Sequence, residues 1–263
     1  MTSLLVRRRD LEAVPPPAGE FRSVRYGKGF LPSWLFAAFG THCVDTHERV
    51  VSLTYDDGPN PRDTPRILDL LAERRATATF FVLAEPAAQH PDIVRRIVVE
   101  GHEVALHGPN HRALTDMSDR EALDGIRRSR ATIEDIAGVP IRLYRPPYGT
   151  HTLRQAWGIR RLGLELIIWS GDALDWLHDT EEAVAERAVA GIFPGAILLL
   201  HDARADPERL APGERLPEFD RADVLRRVLA AIDERGYTTA TTSELLRAHP
   251  HVKSMSREAL FRS

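Results

Sequence analysis

From Val50 onward, short apolar runs rich in β-branched and aromatic residues alternate with stretches of helical periodicity, and few folds accommodate that rhythm. The runs occupy residues 50–55, 78–83, 103–106, 141–144, 164–169, 196–200 and 238–241. Helical patterns cover residues 64–75, 92–100, 119–136, 180–192 and 222–235. Such repetition marks βα units, whose strands run parallel beneath covering helices. Seven strands with intervening helices predict an α/β barrel of parallel strands rather than an open sheet. Thr64 and Ser118 read as helix N-caps, and Gly101, Gly138 and Gly236 as C-terminal stops.

Residues 1–48 do not share the rhythm. They hold a basic run at Arg7, Arg8 and Arg9, three consecutive prolines from Pro15, and an apolar patch over 30–39. They read as an N-terminal extension whose Trp34, Leu35, Phe36 and Phe39 pack on the main domain. The competing reading, an interfacial helix, lacks the Lys/Arg-rich polar face such helices carry. The division is therefore an extension over 1–48, a catalytic domain over 49–248 and a tail over 249–263. The longest irregular connection, residues 202–219, is rich in Pro and charge and borders the predicted site. That position makes it the expected place for substrate selection.

Several classes are excluded by bulk properties. A formal charge of −3 argues against a nucleic-acid surface, which gathers positive charge on one face. The single cysteine, Cys43, leaves no intrachain disulfide and no thiolate metal cluster. Leu4, Leu5 and Val6 run straight into charge, so no secretory leader is visible, and no apolar stretch reaches membrane-spanning length. The expectation is a soluble cytoplasmic protein, with peripheral membrane association left open.

The reactive residues fall just past the C-terminal ends of predicted strands: Asp56 with Asp57, His107 with His111, Arg145, Asp172 with Asp175, and His201. In a parallel barrel those ends converge on one rim, where barrel enzymes build their active sites. Each signal alone has a plainer reading. Asp-Asp-Gly is common in turns, and loop histidines often serve the backbone. Arg145 can be a surface ion pair, His201 a satisfied core histidine and Trp176 a core residue. Taken together, Asp57 with two histidines forms a two-His, one-carboxylate set. Catalytic zinc sites use it, as do non-haem Fe(II) oxygenases, and spacing does not separate them.

In order, Thr-Tyr-Asp-Asp-Gly-Pro from Thr54, His-x-x-x-His from His107, Arg-Pro-Pro-Tyr-Gly from Arg145, Asp-x-x-Asp-Trp from Asp172 and Leu-x-His ending at His201 closely resemble the polysaccharide deacetylases, carbohydrate esterase family four. The resemblance implies a distorted (β/α)7 barrel and one divalent metal per chain, most often Zn²⁺. It implies Asp57, His107 and His111 as ligands and Asp56 as catalytic base, oriented by Arg145. His201 becomes the general acid, paired to Asp175. The backbone N–H of Tyr148 is implied as an oxyanion donor, with Trp176 and Leu199 lining the acetyl pocket. Three positions depart from the usual motifs: Gly108 follows the first histidine in place of Ser or Thr, Arg112 replaces Pro, and Tyr55 replaces Phe. None removes a ligand or a catalytic group.

The implied activity is removal of N-acetyl groups from an N-acetylhexosamine-containing glycan, a lipid-linked sugar or a small sugar. O-acetyl esterase and deformylase activities use the same chemistry. A non-catalytic sugar-binding module and an iron oxygenase are the alternatives of other classes. The intact acid, base and ligand set disfavours the first. The second needs a site for an oxidisable co-substrate.

Overall fold

The computed structural model describes residues 3–5, 39–204, 213 and 215–254. Among the described residues the strands are β1 (Leu4–Leu5), β2 (Gly40–Val44), β3 (Val50–Asp56), β4 (Ala78–Leu83), β5 (Glu103–Gly108), β6 (Leu143–Tyr144), β7 (Glu165–Leu166), β8 (Gly171–Asp172), β9 (Ile197–His201), β10 (Thr238–Thr239) and β11 (His251–Ser254). The helices are α1 (Asp63–Arg74), α2 (Ala84–Gln89), α3 (Pro91–Val99), α4 (Asp119–Ala137), α5 (Leu153–Arg161), α6 (Glu181–Ala190), α7 (Arg221–Glu234) and α8 (Thr242–Ala248). Among the described residues, no helix is long and apolar enough to cross a membrane.

The main sheet runs β7-β6-β5-β4-β3-β9-β8, with β10 joined to the start of β3, and every pairing in it is parallel. It curls into the distorted barrel expected from the motifs. Neighbouring side chains on a strand point to opposite faces, and the two faces build separate cores. Phe80, Val82, Leu53, Tyr55 and Leu106 pack outward under α-helical residues such as Ile67, Leu71, Ile126 and Leu225. Phe81, Ala105, Leu143, Ile167 and Ile197 point inward and meet in the barrel interior.

Two elements close the foot of the barrel. Strand β2 spans the gap between β7 and β9, with Ile168 N–H donating to Thr41 O at 2.8 Å and Val44 N–H to Gly195 O at 3.0 Å. Helix α8 enters beneath β3–β5, where its first amides donate to Thr79 Oγ1 at 2.8 Å and Glu103 Oε2 at 3.0 Å. Those acceptors satisfy N–H groups that have no partner inside a helix. Residues of the expected extension and tail also meet, since β11 pairs antiparallel with β2. Phe39 is buried; Trp34, Leu35 and Phe36 lie outside the described residues.

Two expectations need correcting. The predicted strand over 164–169 breaks after Leu166, and the chain crosses to form β8 on the far side of β9. Gly171 permits this, because a Cβ there would meet Gly191 Cα at 3.0 Å and press on Leu198. Thr64 is not an N-cap: α1 starts at Asp63, and the Thr64 hydroxyl instead receives Asn60 N–H at 2.7 Å. Helices α2, α5 and α8 lie outside the expected helical patterns, and α2 and α8, at six and seven residues, are too short to display a clear period. Ser118, by contrast, caps α4 by accepting Glu121 N–H at 3.2 Å, and Gly138 ends that helix at φ 68°.

Candidate active site

Asp56 closes β3 and His201 closes β9 at the same register on adjacent strands, so both side chains emerge on one face of the rim. Asp57 then turns through φ 76°. This left-handed conformation is unusual outside glycine, and it frees two successive carboxylates from the alternation of a strand. Gly58 follows where no side chain fits, because a Cβ would overlap the Asp202 carboxylate. Asp202 accepts from the Thr64 hydroxyl at 2.5 Å, which ties the end of β9 to the start of α1. Burial pushes the Asp202 carboxyl up to about 7.

His107 lies in β5 and His111 in the following loop. One ring atom from each and one Asp57 carboxylate oxygen lie within 4.8 Å of one another. Both histidine Nε2 atoms stand 3.4 Å from Asp57 Oδ1. His107 Nδ1 faces the Arg145 carbonyl at 2.8 Å. A carbonyl can only accept, so Nδ1 carries a proton and Nε2 is the atom that faces Asp57. This arrangement fixes a ligating histidine through its other nitrogen. Two nitrogens and a carboxylate oxygen, mutually convergent and with only His111 partly open to solvent, fit a divalent cation. Burial opposes ionisation of Asp57, but the imidazoles of His107, His111 and His201 around it outweigh burial and hold the carboxyl far below its usual range.

Arg145 is fully buried. Its Nη1 donates to Asp56 Oδ1 at 2.6 Å and to Thr54 Oγ1 at 2.8 Å, and Nη2 donates to Ile168 O at 3.0 Å. Its guanidinium carbon stacks 4.0 Å from the Phe81 ring centroid. The surface-pair reading of this residue is thereby excluded. Asp175 accepts His201 N–H through Oδ2 at 2.8 Å and faces His201 Nδ1 through Oδ1 at 2.6 Å. Burial alone would lower the His201 imidazolium, but Asp175, Asp57 and Asp56 outweigh it and raise it to about 9.

Tyr148 adopts φ 58° in a short turn over Pro147–Gly149, and its ring lies 4.3 Å from that of His111. Leu199 shares the inward face of His201 and is buried, while Trp176 is 36% exposed beside Asp175. Asp172, expected at the rim, uses Oδ1 to accept Leu174 N–H at 2.8 Å and stays outside the ligand set. Much of the 202–219 connection lies outside the described residues. Arg221, at the start of α7, reaches Asp175 Oδ2 at 3.1 Å and the His201 carbonyl at 2.6 Å. No local spacing in the sequence marks that contact.

A sequence model of the family described as polysaccharide deacetylase matches residues 44–167. A chitooligosaccharide deacetylase of Sinorhizobium fredii is 36% identical over 191 residues, spanning 71% of this chain and 87% of the relative. Among solved structures, the peptidoglycan deacetylase PdaC from Bacillus subtilis superposes with a TM-score of 0.67 and 30% identity, covering 76% of this chain and 91% of that one. A family 4 acetyl xylan esterase from Clostridium thermocellum, in complex with a cobalt ion, gives a TM-score of 0.66 and 28% identity over 76% of this chain and 93% of that one. The chain belongs to the polysaccharide deacetylase family, carbohydrate esterase family four. It is a hydrolase of carbon–nitrogen bonds other than peptide bonds.

Proposed function

We propose that the protein removes N-acetyl groups from an N-acetylhexosamine-containing glycan or glycan precursor. The observation that carries this reading is the placement of two buried pairs, Asp56 with Arg145 and His201 with Asp175, beside the Asp57, His107 and His111 set. Similarity to deacetylases of chitooligosaccharides and peptidoglycan supports the substrate class.

In this reading Asp57, His107 and His111 hold one divalent metal, with Zn²⁺ suited to the donor set. Such an ion polarises an amide carbonyl and lowers the pKa of water. Arg145 fixes the Asp56 carboxylate, which takes the proton of the attacking water. The Tyr148 N–H steadies charge developing on the carbonyl oxygen. His201, protonated at neutral pH and oriented by Asp175, donates its Nε2 proton to the departing amine nitrogen as the C–N bond breaks. Leu199 and Trp176 border the space for the acetyl methyl.

The test is acetate release from chitooligosaccharides, peptidoglycan fragments, sugar nucleotides and acetylated xylan, with and without a chelator. Chelator-sensitive release from N-acetylated substrates is the expected result. Release from acetylated xylan alone would replace the amidase by an esterase, a reading that similarity to an acetyl xylan esterase favours. No release from any member of the panel would end the proposal.

A further inference from the structure

Arg221 has no role in the chemistry above, yet it is a buried cation at the edge of the site. Its side chain is 8% exposed, and a single nitrogen, Nη1, donates to both Asp175 Oδ2 and the His201 carbonyl. Asp175 returns to His201 through both carboxylate oxygens. The three residues thus form a closed ring of hydrogen bonds. The Phe219 ring lies 5.2 Å from the guanidinium carbon and covers it.

Local rules disfavour this placement. A buried charge carries a desolvation cost that only close pairing offsets. Arg221 is also the first residue of α7, where the helix dipole repels a cation. Asp220 meets the dipole in the usual way, capping the helix by accepting Ala222 N–H at 2.9 Å. A residue that breaks local preference so close to a reactive group points to a role in the site.

The chemistry supplies the reason. When His201 passes its proton to the departing amine, the imidazole becomes neutral and Asp175 loses one counter-charge in a buried setting. Arg221 remains on the other oxygen. Burial pushes the Asp175 carboxyl up, but His201 and Arg221 hold it below its usual range. We infer that Arg221 is a positioning residue of the proton-donor pair, holding Asp175 and the His201 main chain as one unit through the step in which His201 gives up its proton. It is the counterpart of Arg145, which grips Asp56. The inference rests on the deacetylase reading proposed above.

The test compares wild type, R221Q, R221K, D175N and the R221Q/D175N double variant as zinc-loaded full chains. Losing one charged hydrogen bond is worth on the order of 10- to 100-fold, so kcat of R221Q should fall by that factor while KM changes little. R221K should recover most of the loss. In the D175N background, R221Q should add less than about threefold, because coupled residues are not additive. A loss repeated in full on D175N, or carried by KM, would reduce Arg221 to a helix anchor. A second readout needs no turnover. In protein labelled with ¹⁵N-histidine, the His201 Nδ1 proton signal, assigned with H201A, should be sharp in wild type and R221K but lost to exchange in R221Q. Should R221Q not fold, R221M takes its place, and an Nδ1 signal as sharp there as in wild type overturns the inference. If wild type releases no acetate, the functional reading fails while the NMR comparison still decides Arg221.

Discussion

The two ends of the barrel both bury charge, and they do so in opposite ways. At the foot, Glu165 is met by Lys253 and Arg160, with Thr41 donating to it at 3.2 Å. Burial would raise the Glu165 carboxyl, but Lys253 and Arg160 keep it below its usual range. The set closes on itself, with both cations meeting the one carboxylate. At the rim, the Nε2 atoms of His107 and His111 converge on Asp57 Oδ1 at 3.4 Å each, longer than the roughly 2.7–3.2 Å of a normal hydrogen bond. Buried polarity that closes on itself is architecture. Buried polarity that points at a common centre asks for something else.

The contrast can be broken most forcefully at the rim. In the proposed site, chelation or D57A should take acetate release below detection, with added Zn²⁺ restoring only the chelated wild type. H201A should lower kcat by at least about 100-fold, the lower bound for general-acid catalysis; a fully active variant would dismiss His201 as the acid. At the foot the signs reverse. Removing one partner of a buried ion pair costs about 3–5 kcal/mol, whereas replacing both by apolar residues is often neutral. E165Q should therefore lower the unfolding midpoint sharply at unchanged kcat/KM, and E165L/K253M should recover most of it. Denaturant melts read beside kinetics separate the two ends.

The smallest effect is in the pH profile. His201 is raised to about 9 and must be protonated to act, so kcat/KM should fall as pH rises through that region. A bound dication opposes the imidazolium, which moves this limb below about 9. Because the folded value lies above the unfolded one, the same group stabilises the fold below about pH 6.5 and loses that contribution as pH climbs toward the folded value. A profile flat across about pH 5–9 would count against the acid–base assignment.

Much of the site was legible because its residues come in short, ordered motifs at strand ends. Asp56 and His201 lie far apart in sequence, but each follows an apolar run that reads as a strand, and parallel pairing does the rest. What stayed hidden depends on contacts between distant segments. Thr64 looks like a cap because threonine before a helical pattern usually is one; its bond to Asp202 crosses 138 residues. Arg221 sits among many arginines, and nothing nearby distinguishes it. The break after Leu166 went unseen because the apolar run continues unbroken through residues 166–169, and only Gly171 hints at the crossing.

The plug formed by β2 carries a kinetic consequence. Val44 pairs with His251 and bridges the gap beside β9, so the foot cannot shut until chain segments about two hundred residues apart have met. Loop-closure entropy makes such long-range contacts slow to form. The barrel should therefore collect its central strands first and seal its base last, exposing the inward apolar face to chaperones or self-association in the interval.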